Sequence, residues 1–95
     1  MQFILICYDG TDTAALDRRM AVREEHLENV RELKRTKNFL WGGAILDDRE
    51  MMIGSVVLYE YPDRESLEKM LEEEPYILGK VWEKIEIKSF RLANI

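Results

Sequence analysis

One cysteine, one histidine and two prolines stand among 95 residues, and no apolar run is long. Each scarcity excludes something. A lone Cys7 rules out an internal disulfide framework and fits a reducing, cytoplasmic setting. One histidine and one cysteine are too few soft ligands for a single-chain zinc site, so no metal is expected. No stretch approaches the roughly 20 apolar residues that cross a bilayer. Met1–Tyr8 has no basic leader and no small-residue cleavage site, so neither membrane insertion nor secretion is expected. Basic residues are outnumbered, 14 against 19, for a formal net charge of -5. With a pI near 4.9, no basic surface is at hand for a nucleic-acid backbone. The composition of disordered chains is missing too, since 46% of residues are hydrophobic, enough for a core. At this length the chain reads as one domain, 1–95. Such a domain has little spare protein with which to wall off a deep pocket, so an enzyme this small is expected to borrow a wall from a second copy.

What is present divides into six elements. Gln2–Tyr8 is a short, β-rich apolar run ended by Asp9-Gly10, a strand. Thr11 or Thr13 is placed to cap a helix whose pattern lasts to about Lys37. Phe39–Ile45 and Met52–Tyr61 read as strands on either side of the polar turn at Asp47–Glu50, hence a hairpin. Pro62-Asp63 opens a second helix with Asp63 as its cap, and Pro75 stops it. After Gly79, Trp82–Phe90 is the last strand. The order β-α-β-β-α-β in so few residues predicts an α+β, ferredoxin-like sandwich, one antiparallel sheet with two helices on one face. The first strand is apolar at both parities, Phe3, Leu5 and Cys7 against Ile4, Ile6 and Tyr8. The third repeats this, with Val56 and Leu58 against Val57, Tyr59 and Tyr61. A sheet wetted on one face alternates apolar and polar residues, so both faces are expected to be covered. Two helices cover one. The other predicts a homodimer in which two sheets pack face to face. The competing reading is a monomer with aromatics scattered over its outer face.

The first helix carries the most informative pattern. Leu16, Met20, Val22, Leu27, Val30 and Leu33 fall on one broad face, and Glu24, Glu25, Glu28 and Glu32 fall opposite, an amphipathic helix with an acidic wet side. Arg19, Arg23 and His26 break the rule. They lie inside the apolar arc at spacings of four and three, so they form one stripe. Charges on a buried-facing surface need partners. Either the arginines snorkel at the edge of the seam and His26 is a satisfied core histidine, or the stripe lines a small polar pocket. In the second case His26 transfers protons, as an imidazole can near neutral pH, and the arginines hold an anionic or enolic oxygen. A histidine in that role wants an orienting carboxylate. The buried stripe of the second helix, Leu67, Met70 and Leu71, continues at helical spacing to Glu74. Against this, Glu72–Glu74 is also readable as one solvated acidic run.

Other signals point to packing. Asp47, Asp48 and Glu50 have no calcium-loop spacing, and Gly42-Gly43 is not followed by the helix start of a phosphate loop. Trp41 and Trp82 read as core or dimer packing, Tyr8, Tyr59 and Tyr61 as packing with a polar tip, and apolar-flanked Cys7 as inert.

Three segments together, Val22-Arg23-Glu24-Glu25-His26-Leu27, Phe39-Leu40-Trp41-Gly42-Gly43 and Glu74-Pro75-Tyr76 through Ile87 with Phe90, resemble the YciI-like (YCII-related) family over essentially the whole chain. The resemblance implies a ferredoxin-like dimeric α/β barrel, similar to muconolactone isomerases and antibiotic-biosynthesis monooxygenases, with an active site built on a histidine and an aspartate. His26 matches the histidine. Glu74 stands where members read Asp before the proline, a carboxylate one methylene longer, and Gly42-Gly43 replaces their Gly-Pro. Most members have no assigned reaction, and one branch is linked to dehydrochlorination of a chlorinated hydroxyhydroquinone. The expectation is therefore a homodimeric protein that takes a small-molecule ligand and uses no cofactor. His26 and Glu74 are its catalytic pair, Arg23 and Arg19 its substrate-binding residues, and its chemistry is of the isomerase or lyase type. The alternative is a non-catalytic ligand-binding or interaction module of the same fold.

Overall fold

The computed structural model describes residues 1–95. Four strands, β1 (Gln2–Asp9), β2 (Phe39–Leu46), β3 (Met52–Glu60) and β4 (Trp82–Phe90), form one sheet in the order β2-β3-β1-β4. All three pairings are antiparallel. Helix α1 (Ala15–Arg35) links β1 to β2, and α2 (Arg64–Leu71) with the short α3 (Pro75–Leu78) links β3 to β4. No helix-linked strands are neighbours: β3 separates β1 from β2, and β1 separates β3 from β4. This is the ferredoxin-like split-βαβ arrangement that the element order predicts.

Register sorts the side chains. Phe3 lies opposite Tyr59, and Leu5 lies between Val57 and Ile87. On that face Phe3, Leu5, Cys7, Val57 and Tyr59 join Leu67 and Leu71 of α2, Tyr76 of α3, and Val81 and Trp82 in one buried core. Each large apolar side chain sealed there contributes roughly 1.5–3 kcal/mol relative to exposure. Burial pushes the Cys7 thiol up to about 12, so it stays protonated and unreactive at neutral pH. On the other face Ile4 faces Leu58, and Ile6 faces Val56. No helix side chain joins that face, and Tyr8 and Trp41 there are 44% and 41% exposed. Gly54 sits between β1 and β2 because a Cβ would run into the carbonyl oxygen of Cys7, a close backbone approach that admits only hydrogen.

Four local expectations are corrected. Neither Thr11 nor Thr13 caps α1. The residue before the helix is Ala14, already helical at φ -92 and ψ 0, and no side chain caps it. A side-chain cap needs an extended residue at that position, whereas here a backbone turn from Asp12 to Ala15 leads in. The helix ends at Arg35, two residues short of Lys37, because Lys37 takes a left-handed conformation at φ 65 that closes the helix. Met20 is exposed, at 52%, while the buried residues of α1 are Ala15, Arg19 and His26. The polar stripe, not the apolar arc, is the most buried line of the helix. Finally, Pro75 does not stop α2, which ends at Leu71; it opens α3 instead. A proline fits a first helical turn, where its missing N–H has no partner to lose. Asp63 does cap α2, accepting from Ser66 N at 2.8 Å.

Candidate active site

The α1 stripe meets the strand-to-strand connection at Glu74. A residue before proline is kept out of the helical region, and Glu74 is extended at φ -68 and ψ 122. That bend lets its side chain cap α3, with Oε1 accepting from Tyr76 N at 3.0 Å. The same oxygen faces His26 Nδ1 at 2.6 Å, and Oε2 accepts from Asn29 Nδ2 at 3.3 Å. Glu74 is wholly buried, at 0% exposure. Its three partners suit an ionised carboxylate, which only accepts. Nδ1 then carries the proton and donates to Glu74, leaving the Nε2 lone pair of His26 as the basic site. Tyr76 fixes the ring from its face: the imidazole stacks on the phenol with centroids 3.8 Å apart and planes 8° from parallel. Trp82 meets the imidazole edge-on at 6.0 Å.

A second array lies one helical turn or two away. Asp9 ends β1 at a register shift that sets it beside Trp82. Arg19 Nη1 donates to both Asp9 oxygens at 3.0 Å, and its Nη2 donates to Ser55 Oγ at 2.9 Å. Trp82 Nε1 also donates to Ser55 Oγ, at 3.2 Å. Burial pushes the Asp9 carboxyl above its ordinary value, and the Arg19 charge and hydrogen bonds pull the other way. The guanidinium carbon of Arg19 lies 4.7 Å from the centre of the Tyr76 ring, so Tyr76 joins the two arrays.

The two arrays border one cleft of about 120 Å³. Arg19, Arg23, His26 and Tyr76 supply its polar wall, and Leu27, Val30, Phe39, Met52 and Val57 its apolar wall, with Gly42–Ala44 of the edge strand at its lip. The volume is close to that of a cavity known to hold one benzene ring. A wider hollow of about 620 Å³ lies near Gly10–Thr13 and Met51–Ile53, but it lacks a histidine, and the arginines that pair with its Asp9 and Asp12 lie outside its lining. Arg23 is half-buried and forms no ion pair within the chain.

The structure thus places the four residues singled out by sequence together. Arg19, Arg23 and His26 share the cleft wall, and Glu74 stands behind His26. Sequence reasoning missed Asp9, Ser55, Asn29 and Tyr76. Asn29 was findable, because it lies three residues beyond His26 on the same helical face. Asp9 had a weaker signal: a buried Arg19 demands a counter-charge. Asp47, considered for a cation, holds the hairpin turn, accepting from the backbone N–H groups of Arg49 and Met51.

Residues 1–91 match the model of the YCII-related domain. An uncharacterized protein of Haemophilus influenzae (strain Rd) is 26% identical over 97 residues, spanning 96% of this chain and 97% of that one. Among solved structures, a 5-chloro-2-hydroxyhydroquinone dehydrochlorinase from Burkholderia phenoliruptrix AC1100, in complex with 2,5-dihydroxybenzoquinone, superposes with a TM-score of 0.83 at 19% identity, covering 98% of this chain and 96% of that chain. An antibiotic biosynthesis monooxygenase superposes with a TM-score of 0.55 at 15% identity, over 98% of both chains. At these identities the likeness to solved structures speaks for a shared fold. No helix is long and apolar enough to cross a membrane.

Proposed function

The chain belongs to the YCII-related domain family, and we propose that it is a small-molecule enzyme that moves a proton with the His26–Glu74 pair. The single observation that carries this reading is the 2.6 Å contact between His26 Nδ1 and a fully buried Glu74. The longer carboxylate still reaches the ring. With Nδ1 so occupied, Nε2 takes a proton from carbon or oxygen of a molecule in the cleft and returns it elsewhere. Arg23, the one unpaired cation on the wall, holds the oxygen on which negative charge develops, and Arg19 supports the same wall from its pair with Asp9. The reaction class is isomerisation, or elimination such as loss of halide, on a small enolisable or phenolic compound, with side chains alone moving the proton.

A thermal-shift screen of small phenols, lactones and dicarboxylates tests this, since a bound ligand raises the melting temperature by mass action. At least one class is expected to stabilise the wild type by a few degrees and to do nothing for His26→Ala. Undiminished ligand response and turnover in His26→Ala would remove the histidine from the role.

The same reading makes the protein a homodimer through the helix-free sheet face. Its support is the apolar patch of partly buried Ile4, Ile6 and Val56 with half-exposed Tyr8 and Trp41, a surface that water disfavours. Trp41→Glu is expected to halve the mass measured by light scattering. An unchanged mass in that variant, or a monomeric wild type, would end the dimer proposal.

A further inference from the structure

Every polar side chain on the cleft wall has an assignment except one. We propose that the hydroxyl of Tyr76 is a substrate-binding donor, which grips the bound molecule's charged oxygen beside Arg23; this rests on the cleft being the substrate site.

Tyr76 is almost completely buried, with 1% of its surface exposed, and a residue that only filled space there could be phenylalanine. Two buried side-chain polar atoms lack any partner, Arg19 Nε and Tyr59 Oη. The Tyr76 hydroxyl takes no part in the side-chain hydrogen bonds of the chain, and it is not one of these two sealed atoms. The space that Tyr76 lines is the cleft shared with Arg19, Arg23 and His26. Its ring is held on several sides: stacked on His26, edge-on to Trp82 with centroids 5.6 Å apart, and packed against the Arg19 guanidinium. Its backbone N–H is fixed by Glu74 Oε1. The ring is therefore held in place before any ligand arrives, and a donor on a fixed frame contributes most to a developing charge. It also keeps its proton: burial raises the phenol, more than the Arg19 and Arg23 charges lower it. A tyrosine that stays protonated beside two guanidinium groups donates. The matching ligand chemistry is an oxygen that carries or gathers negative charge, an enolate or phenolate, next to the atom that His26 deprotonates.

Tyr76→Phe removes the hydroxyl and leaves the ring, its stack and its contact with Arg19. The probe is 2,5-dihydroxybenzoquinone, whose oxygens share delocalised negative charge, titrated into the full chain and followed by tryptophan fluorescence, for which Trp82 is well placed. Tyr76→Phe is expected to bind the probe about 10-fold or more weakly, as loss of a hydrogen bond to a charged group dictates, while the ligand-free melting temperature stays within about 4 °C of wild type. An equal response of wild type and Tyr76→Phe to the probe, saturable or absent, overturns the assignment. So does a large drop in melting temperature with unchanged affinity, which marks a structural hydroxyl. His26→Ala is titrated alongside. If that variant turns over substrate normally while Tyr76→Phe still weakens the probe, proton transfer by His26 falls and the Tyr76 assignment stands.

Discussion

Replacing Asp9 with alanine is expected to lower the melting temperature by about 12 °C or more. Arg19 is buried at 3% exposure and directs Nη1 at both oxygens of Asp9. Without Asp9 it keeps Ser55 alone, and its Nε already has no partner. Removing one member of a buried ion pair costs about 3–5 kcal/mol, because the other charge is left uncompensated. In a domain of this size each kcal/mol moves the melting temperature by about 4–8 °C. Replacing both residues, Asp9→Leu with Arg19→Met, is expected to recover most of the loss, since a well-packed apolar pair avoids the desolvation that the ions suffer. Thermal unfolding followed by circular dichroism decides: an Asp9→Ala variant within 2 °C of wild type at neutral pH would mean that the pair is not sealed.

The fold was legible because its signals are local and redundant. Doubly apolar β1 and β3, the Asp47–Glu50 turn and the Asp63 cap each state one thing, and the β-α-β-β-α-β order leaves few arrangements. The site was legible in part. Arg19, Arg23 and His26 stood out because they occupy a face where polar residues are costly. Glu74 was reached by a wrong route: the α2 stripe stops at Leu71, and it is the bend demanded by Pro75 that turns the carboxylate inward. Tyr76 and Asp9 were illegible as site residues for a different reason. Their roles depend on which elements meet in space, α3 against α1 and the end of β1 against β4, and nothing in their immediate neighbours records that. The exposure of Met20 is a third kind of failure. A wheel ranks faces by composition, whereas the sheet here turns toward the polar stripe because Asp9, Ser55 and Glu74 await it there.

The pair at the centre of the site is expected to need both the charge and the length of Glu74, and two substitutions separate them. Glu74→Gln keeps the length. Its amide oxygen can still accept from His26 Nδ1 and Tyr76 N, which share Oε1, and Asn29 can turn its own amide to accept from the new NH₂ group. The variant should therefore fold, with a melting temperature within a few degrees of wild type. What it lacks is the negative charge behind the ring when Nε2 takes up a proton, so the imidazolium forms without a counter-ion. On a substrate found by the ligand screen, kcat is expected to fall about 10²–10⁴-fold, the range a positioned acid–base group supplies, with a smaller change in KM. Glu74→Asp keeps the charge and shortens the side chain by one methylene. It also withdraws the head group by about 1.5 Å, which opens the 2.6 Å contact with Nδ1 beyond hydrogen-bond reach and releases the backbone N–H of Tyr76. Because α3 in this chain is set for the longer side chain, Glu74→Asp is expected to lose activity as well, by at least about 10-fold. A Glu74→Gln enzyme with wild-type kcat would show that the carboxylate is only a helix cap. A fully active Glu74→Asp enzyme would show that α3 follows the carboxylate, and that distance does not govern the pair.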